Sequence, residues 1–282
     1  MIVPADTQQR YRRSSSRLPA VVKAAAWLLT LGILLPAVAC GDAAPETGEA
    51  RQEPAAEASV ESDTPAEQLL ARAMAFHDPA GSWNTRPLTM TWSGTGDDGA
   101  ERLRLEMTTD PAVFGFGLSG HYRGTQLEYS VREGEVQVTV DGSSEIDAEL
   151  RKKLVLDRED GLFWRNYFGF LAGFPMNVGD PGAELDPEVV PTEFMGQAVE
   201  ALTVRYPAEA GADIWTYYFL PSGQNVGVRF DRADPTRVGE YLVFDGLIEA
   251  DGLKLPKTRS WHMNDDDRHL GNDIIEALAV NE

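Results

Sequence analysis

The chain has 282 residues and a formal net charge of −20, from 25 Lys and Arg against 45 Asp and Glu, with one cysteine. A surface that acidic repels nucleic acid and anionic headgroups, which excludes both as electrostatic partners. A lone cysteine excludes a disulfide within one molecule.

Arg10, Arg12, Arg13, Arg17 and Lys23 form a basic leader, and an uncharged, mostly apolar stretch follows from Ala24 to Ala39. These are the n-region, h-region and small-residue cleavage site of a signal peptide, predicted over 1–39. As a helix the stretch would reach only about 24 Å, short of the ~30 Å hydrocarbon core, so a permanent span is not expected. Ala37-Val38-Ala39-Cys40 resembles a lipobox. That resemblance implies cleavage before Cys40, a diacylglycerol on its thiol, and the membrane as a partner through lipid. Two or three acyl chains hold a protein stably where one alone is marginal. Gly41, rather than Asp, after the cysteine favours the outer membrane under the sorting rule this resembles. The predicted location is therefore the bacterial cell envelope, facing the periplasm.

From Gly41 to Thr64 the chain is dominated by Ala, Glu, Pro, Ser and Thr, with Val60 its only large aliphatic residue. Such a segment cannot bury enough surface to offset its ordering entropy, so 40–64 reads as a disordered acidic tether. Residues 65–282 then form a single domain.

Thr64-Pro65-Ala66-Glu67 has the form of a helix start, with Thr64 as N-cap and Glu67 completing a capping box. Leu69, Leu70, Ala73, Met74 and Phe76 give that helix an apolar side, and His77-Asp78-Pro79 ends it. Five alternating segments follow, around Leu88–Trp92, Leu103–Met107, Phe114–Leu118, Leu127–Val131 and Val136–Val140. Their short connections predict an antiparallel meander. The period changes from Ser143 to Pro175. Ser144–Asp147 is expected to open a charged helix running through Leu156, and Leu162–Phe174 packs six aromatic residues into a second helix. After a loop at 175–187, strands are predicted over Gln197–Tyr206, Ile214–Leu220, Val226–Asp231, Gly239–Ile248 and Lys254–Met263, with a last strand at Leu270–Val280. The fold class is α+β, a large curved antiparallel sheet forming an incomplete β-barrel with helices on its concave face.

Two stretches carry a resemblance. Phe76-His77-Asp78-Pro79-Ala80-Gly81-Ser82-Trp83, with Tyr217–Pro221, Arg259–His262 and Leu270–Asp273, is similar to a family of uncharacterised bacterial lipoproteins. Tyr218–Gly223, Val226–Phe230 and Gly252–Pro256 resemble the strand phrases of lipoprotein carriers and lipoprotein-sorting proteins. That second resemblance implies a half-barrel with a helical lid over an apolar cavity. Fold analogy does not fix function.

Four histidines, His77, His121, His262 and His269, lack the paired spacing of a zinc site. Asp265-Asp266-Asp267 lacks the Gly and downstream Glu of a calcium loop and reads as a hairpin tip. There is no Gly-x-Ser-x-Gly elbow and no phosphate loop. No cofactor, metal or catalytic residue is therefore assigned, and the chain is read as non-enzymatic. A hydrolase using His77 and Asp78 is the weakest alternative. The aromatic helix has two readings. Either it fills the core, or Trp164, Phe168, Phe170 and Phe174 line an apolar cavity with Phe114, Phe116 and Leu118 and hold a lipid or acyl chain. The other function class is a structural lipoprotein whose acidic surface docks an envelope protein.

Overall fold

The computed structural model describes residues 64–180, 182–206 and 213–282. The signal segment, Cys40 and the tether fall outside them.

Helix α1 (Pro65–His77) begins as its first four residues dictate. The Thr64 hydroxyl accepts the Glu67 N–H at 3.2 Å, and the Glu67 carboxylate accepts the Thr64 N–H at 2.6 Å. Two of the helix's orphan donors are thereby satisfied. The helix buries Ala66, Leu69, Ala73 and His77, one stripe at helical spacing.

Strands β1 (Leu88–Gly96), β2 (Glu101–Asp110), β3 (Gly115–Tyr122), β4 (Thr125–Arg132) and β5 (Glu135–Val140) form the expected meander. In β2, Leu103, Leu105 and Met107 are buried while Arg104, Glu106 and Thr108 face outward or stay partly exposed, the period of two that makes one face a core. A second meander comprises β6 (Glu184–Phe194), β7 (Gln197–Arg205), β8 (Ile214–Phe219), β9 (Asn225–Asp231), β10 (Glu240–Ala250), β11 (Leu253–Met263) and β12 (His269–Val280). The turns Arg123-Gly124, Glu133-Gly134, Met195-Gly196 and Asp251-Gly252 place both residues at positive φ, between 49° and 88°. That is the type I′ geometry, whose twist matches the flanking strands.

All twelve strands join one antiparallel sheet in the order β5-β4-β3-β2-β1-β12-β11-β10-β9-β8-β7-β6. The meanders are joined where the last strand lies beside the first, from Leu88 opposite Val280 to Gly96 opposite Gly271. β5 and β6 remain as edges, so the sheet is open, an incomplete barrel with its helices against the concave face.

Three local expectations are corrected. β6 starts at Glu184, inside the stretch read as loop, and it was absent from the expected strands. Its Pro187 and Pro191 suppressed the strand signal. Proline is tolerated there because β6 is an edge, and the register breaks between Leu185 and Val189. The charged helix is only α2 (Ala148–Lys153), capped by Asp147, whose Oδ1 accepts the Leu150 N–H at 2.9 Å. It stops at Leu154, and Val155 turns to a φ of 58°. Finally, Phe114 lies outside β3. At φ 52° it ends a one-turn 3-10 segment, Pro111–Val113, that links β2 to β3.

Candidate functional site

Helix α3 (Phe163–Ala172) carries the aromatic run and sits in the core. Trp164, Phe168 and Phe174 are 4%, 2% and 0% exposed, and Phe116 and Leu118 on β3 are 5% and 2%. Trp164 donates its Nε1–H to the Leu154 carbonyl at 2.8 Å and meets Tyr122 edge to face at 4.9 Å. Phe168 lies 5.8 Å from both Trp164 and Trp92. Phe170 and Phe174 turn to the other meander, where Phe170 packs on Trp215 at 4.8 Å and Phe174 on Phe244 at 5.5 Å. The helix therefore joins both halves of the sheet. Of the seven residues expected to share a cavity, Trp164 and Phe168 form one group and Phe170 and Phe174 another. Phe114 lies apart, with the Arg165 guanidinium 3.4 Å above its ring.

Beneath α3 the concave face holds a buried polar group that no sequence motif announces. Arg259 on β11 is fully buried. Its Nε donates to the Leu171 carbonyl in the last turn of α3 at 3.1 Å, and its Nη1 to the Pro256 carbonyl at 2.7 Å. A cation at a helix C-terminus complements the macrodipole and satisfies an orphan carbonyl. Burial pulls its pKa down to about 9, with nearby Asp273 acting the other way. Asp273, on the adjacent β12, accepts from Trp261 Nε1 at 2.9 Å and is ion-paired to Arg102. Arg102 pairs directly with this buried carboxylate, while Arg259 feels its charge without bonding it. Arg259 Nη2, Trp92 Nε1 and the Tyr167 hydroxyl have no hydrogen-bond partner among the described residues. The Arg259 side chain lies over the Trp92 ring at 4.9 Å. The legible signal was a strand arginine in the phrase Arg259-Ser260-Trp261, two residues before a buried tryptophan and therefore on the same face.

A pocket of about 200 Å³ opens beside the less buried stripe of α3. Trp83, Phe114 and Phe116 supply aromatic wall, Arg165 and Thr109 supply donors, and Gly169 leaves space.

His77 and Asp78 do not form a catalytic pair. The His77 ring is fully buried, with Nδ1 2.7 Å from the Lys254 carbonyl and Nε2 accepting the Asn225 N–H at 2.9 Å. Both nitrogens are committed to backbone, so the ring can neither take nor give a substrate proton. Burial drives its pKa down to about 4. The Asp78 carboxylate accepts the Ser82 and Trp83 N–H groups at 2.7 and 3.0 Å. The Phe76–Trp83 motif is thus a clasp tying α1 to β9, β11 and the turn that carries Trp83. His121 is exposed on β3. His262 and His269 meet at 5.3 Å on the outer face, both tied within the β11–β12 hairpin, to the Asp267 carbonyl and the Asn272 side chain respectively. Among the described residues, no three His, Cys, Asp or Glu gather as a metal site.

No protein-family model matches the sequence, and no curated protein does. Solved structures with a similar chain path include a LolA superfamily protein of Nitrosomonas europaea, at 8% identity and a TM-score of 0.48 over 78% of this chain and 95% of that one. A DUF1329 family protein of Desulfovibrio piger follows at 11% identity and 0.44, over 77% and 94%. The Mycobacterium tuberculosis lipoprotein LppX shows 14% identity and 0.27, over 59% and 88%. At such identities and scores none of these proteins transfers a ligand or an activity to this chain.

Proposed function

We propose that this is a lipid-anchored envelope protein, held through Cys40, that binds or transfers an apolar ligand such as an acyl chain on the concave face beneath α3. The observation that carries the reading is the surplus of donors in an otherwise apolar core. Arg259 Nη2, Trp92 Nε1 and Tyr167 Oη find no protein partner, and a buried donor without an acceptor costs about 1–3 kcal/mol. An acyl ester or carboxylate supplies those acceptors while its chain packs against the aromatic floor. The ligand enters when α3 swings out as a lid, and Arg259 holds that lid shut through the Leu171 carbonyl. Trp164, Phe168, Phe170, Phe174, Phe116 and Leu118 then belong to the cavity wall in the open form and to the core in the closed one. The chain acts here without catalysis or cofactor.

Native mass spectrometry with lipid extraction on the purified full chain tests this. A copurified acyl lipid of defined mass is the expected result. A clean protein mass, together with no uptake of acyl lipid from vesicles, defeats the reading.

A second reading has its own observation. β6 is an edge strand that packs in part against α1, and Val190 on it and Met195 at its turn are each 55% exposed, in a chain with a large acidic excess. An open edge is a template for strand pairing with a protein partner. Salt-sensitive crosslinking of residue 190 to one reproducible basic partner is the outcome that reading requires.

A further inference from the structure

We infer that the pocket beside Arg165 and Gly169 is a binding site for a small apolar acid, a ring or short acyl chain ending in a carboxylate. It shares Phe116 and α3 with the site proposed above, but its occupation does not require α3 to move.

Its size suits the ligand. About 200 Å³ exceeds the roughly 150 Å³ that accommodates benzene, which leaves room for a carboxylate. Trp83, Phe114 and Phe116 provide apolar wall on three elements. Trp83 is placed by the clasp, since Asp78 holds its N–H, and its ring lies so close to Gly173 that a Cβ there would come within 3.0 Å of it. The charge is placed by α3. The Arg165 guanidinium lies 3.4 Å over Phe114, so stacking fixes its place in the wall; its Nη1 donates to Asn166 Oδ1 at 3.2 Å and Asp180 lies within its field, and a ligand carboxylate adds to these partners. A second polar group is Thr109 Oγ1, which is shielded and has no partner among the described residues. The one carboxylate in the wall, Asp110, turns to its own loop, where Oδ1 accepts the Ala112 N–H at 3.1 Å.

Gly169 is the independent sign. It stands inside α3, where glycine is the poorest ordinary helix former, yet a Cβ built on it meets no atom within 4 Å. Packing does not demand glycine there. What its missing side chain does is keep this pocket open.

The test titrates the full chain with octanoate and with neutral 1-octanol by calorimetry. Octanoate is expected to bind at one site and more tightly than octanol. Arg165→Gln should weaken octanoate about tenfold or more, the worth of a hydrogen bond to a charged group, and leave octanol unchanged. Gly169→Leu should abolish octanoate binding without lowering Tm. Equal binding of octanoate and octanol, or undiminished octanoate binding in either variant, overturns the site. The readout is distinct from that of the lid, because lipid copurified under α3 should persist in Gly169→Leu.

Discussion

His77 shows how a residue that suggests chemistry can serve the fold instead. Its imidazole is neutral and its tautomer is set by its neighbours, with Nδ1–H toward Lys254 and Nε2 receiving Asn225. The folded ring resists protonation down to about pH 4, whereas the unfolded ring takes a proton near 6.5. Protons therefore favour the unfolded chain between those values, and His77 makes stability fall by about 3 kcal/mol as pH drops through the window. Asp180 acts in the opposite sense. Burial raises its carboxyl to about 7 against the pull of Arg165, so the unfolded state loses its proton first and stability falls as pH rises from about 4 to 7. The two slopes oppose each other over the same range. Thermal melts from pH 4 to 7 should show stability rising with pH in Asp180→Asn and falling with pH in His77→Gln, relative to the parent. Parallel profiles for both variants would contradict these environments. Neither environment is legible in local pattern, because both depend on burial and on neighbours that the fold brings up.

At the scale of elements, α3 packs its aromatic face into the core and is tied to its surroundings through Trp164, Asn166 and the carbonyls of Phe170 and Leu171. Trp164→Ala removes a buried indole and its bond to Leu154, and a loss of about 3–5 kcal/mol is expected in chemical denaturation. Gly169→Ala should do the reverse. With open space at its Cβ it gains helix propensity alone, about 0.5–1 kcal/mol, which raises Tm by roughly 1–4 °C in a domain of this size. Arg259→Leu removes the tie at the last turn of α3. Hydrogen exchange should then speed up selectively in the amides of 163–172, while β11 and β12 keep their protection. Uniform loss of protection would mean that Arg259 supports the whole core rather than the lid. Helix α1 was legible to the residue, because its cap, proline and stop signal are local. α2 is shorter than its charged pattern predicts, because Ser144 and Asp147 are both capable caps of which Asp147 is used, and the chain turns at Val155 to bury Leu154 and Leu156.

For the whole molecule, the decisive contact is β12 against β1. It joins the two meanders and supplies the centre of the sheet, so truncation after residue 268 should leave no cooperative melting transition. The prediction for the anchor is separate. Cys40→Ser should move the protein from the membrane to the soluble fraction, and unchanged fractionation would refute a lipid on that residue.

By itself the sequence determined the strand and helix periods, the antiparallel meanders and the α+β class, because these depend on neighbours two to four residues apart. It also contained the aromatic run, though not its use. Only tertiary structure decided which strands are edges and made β6 tolerable with two prolines. It alone brought Arg259 and Trp92 under the helix that carries Tyr167, and Trp83, Thr109 and Arg165 around one pocket. Those groups are far apart along the chain, and burial, charge pairing and unsatisfied donors are properties of the space between them.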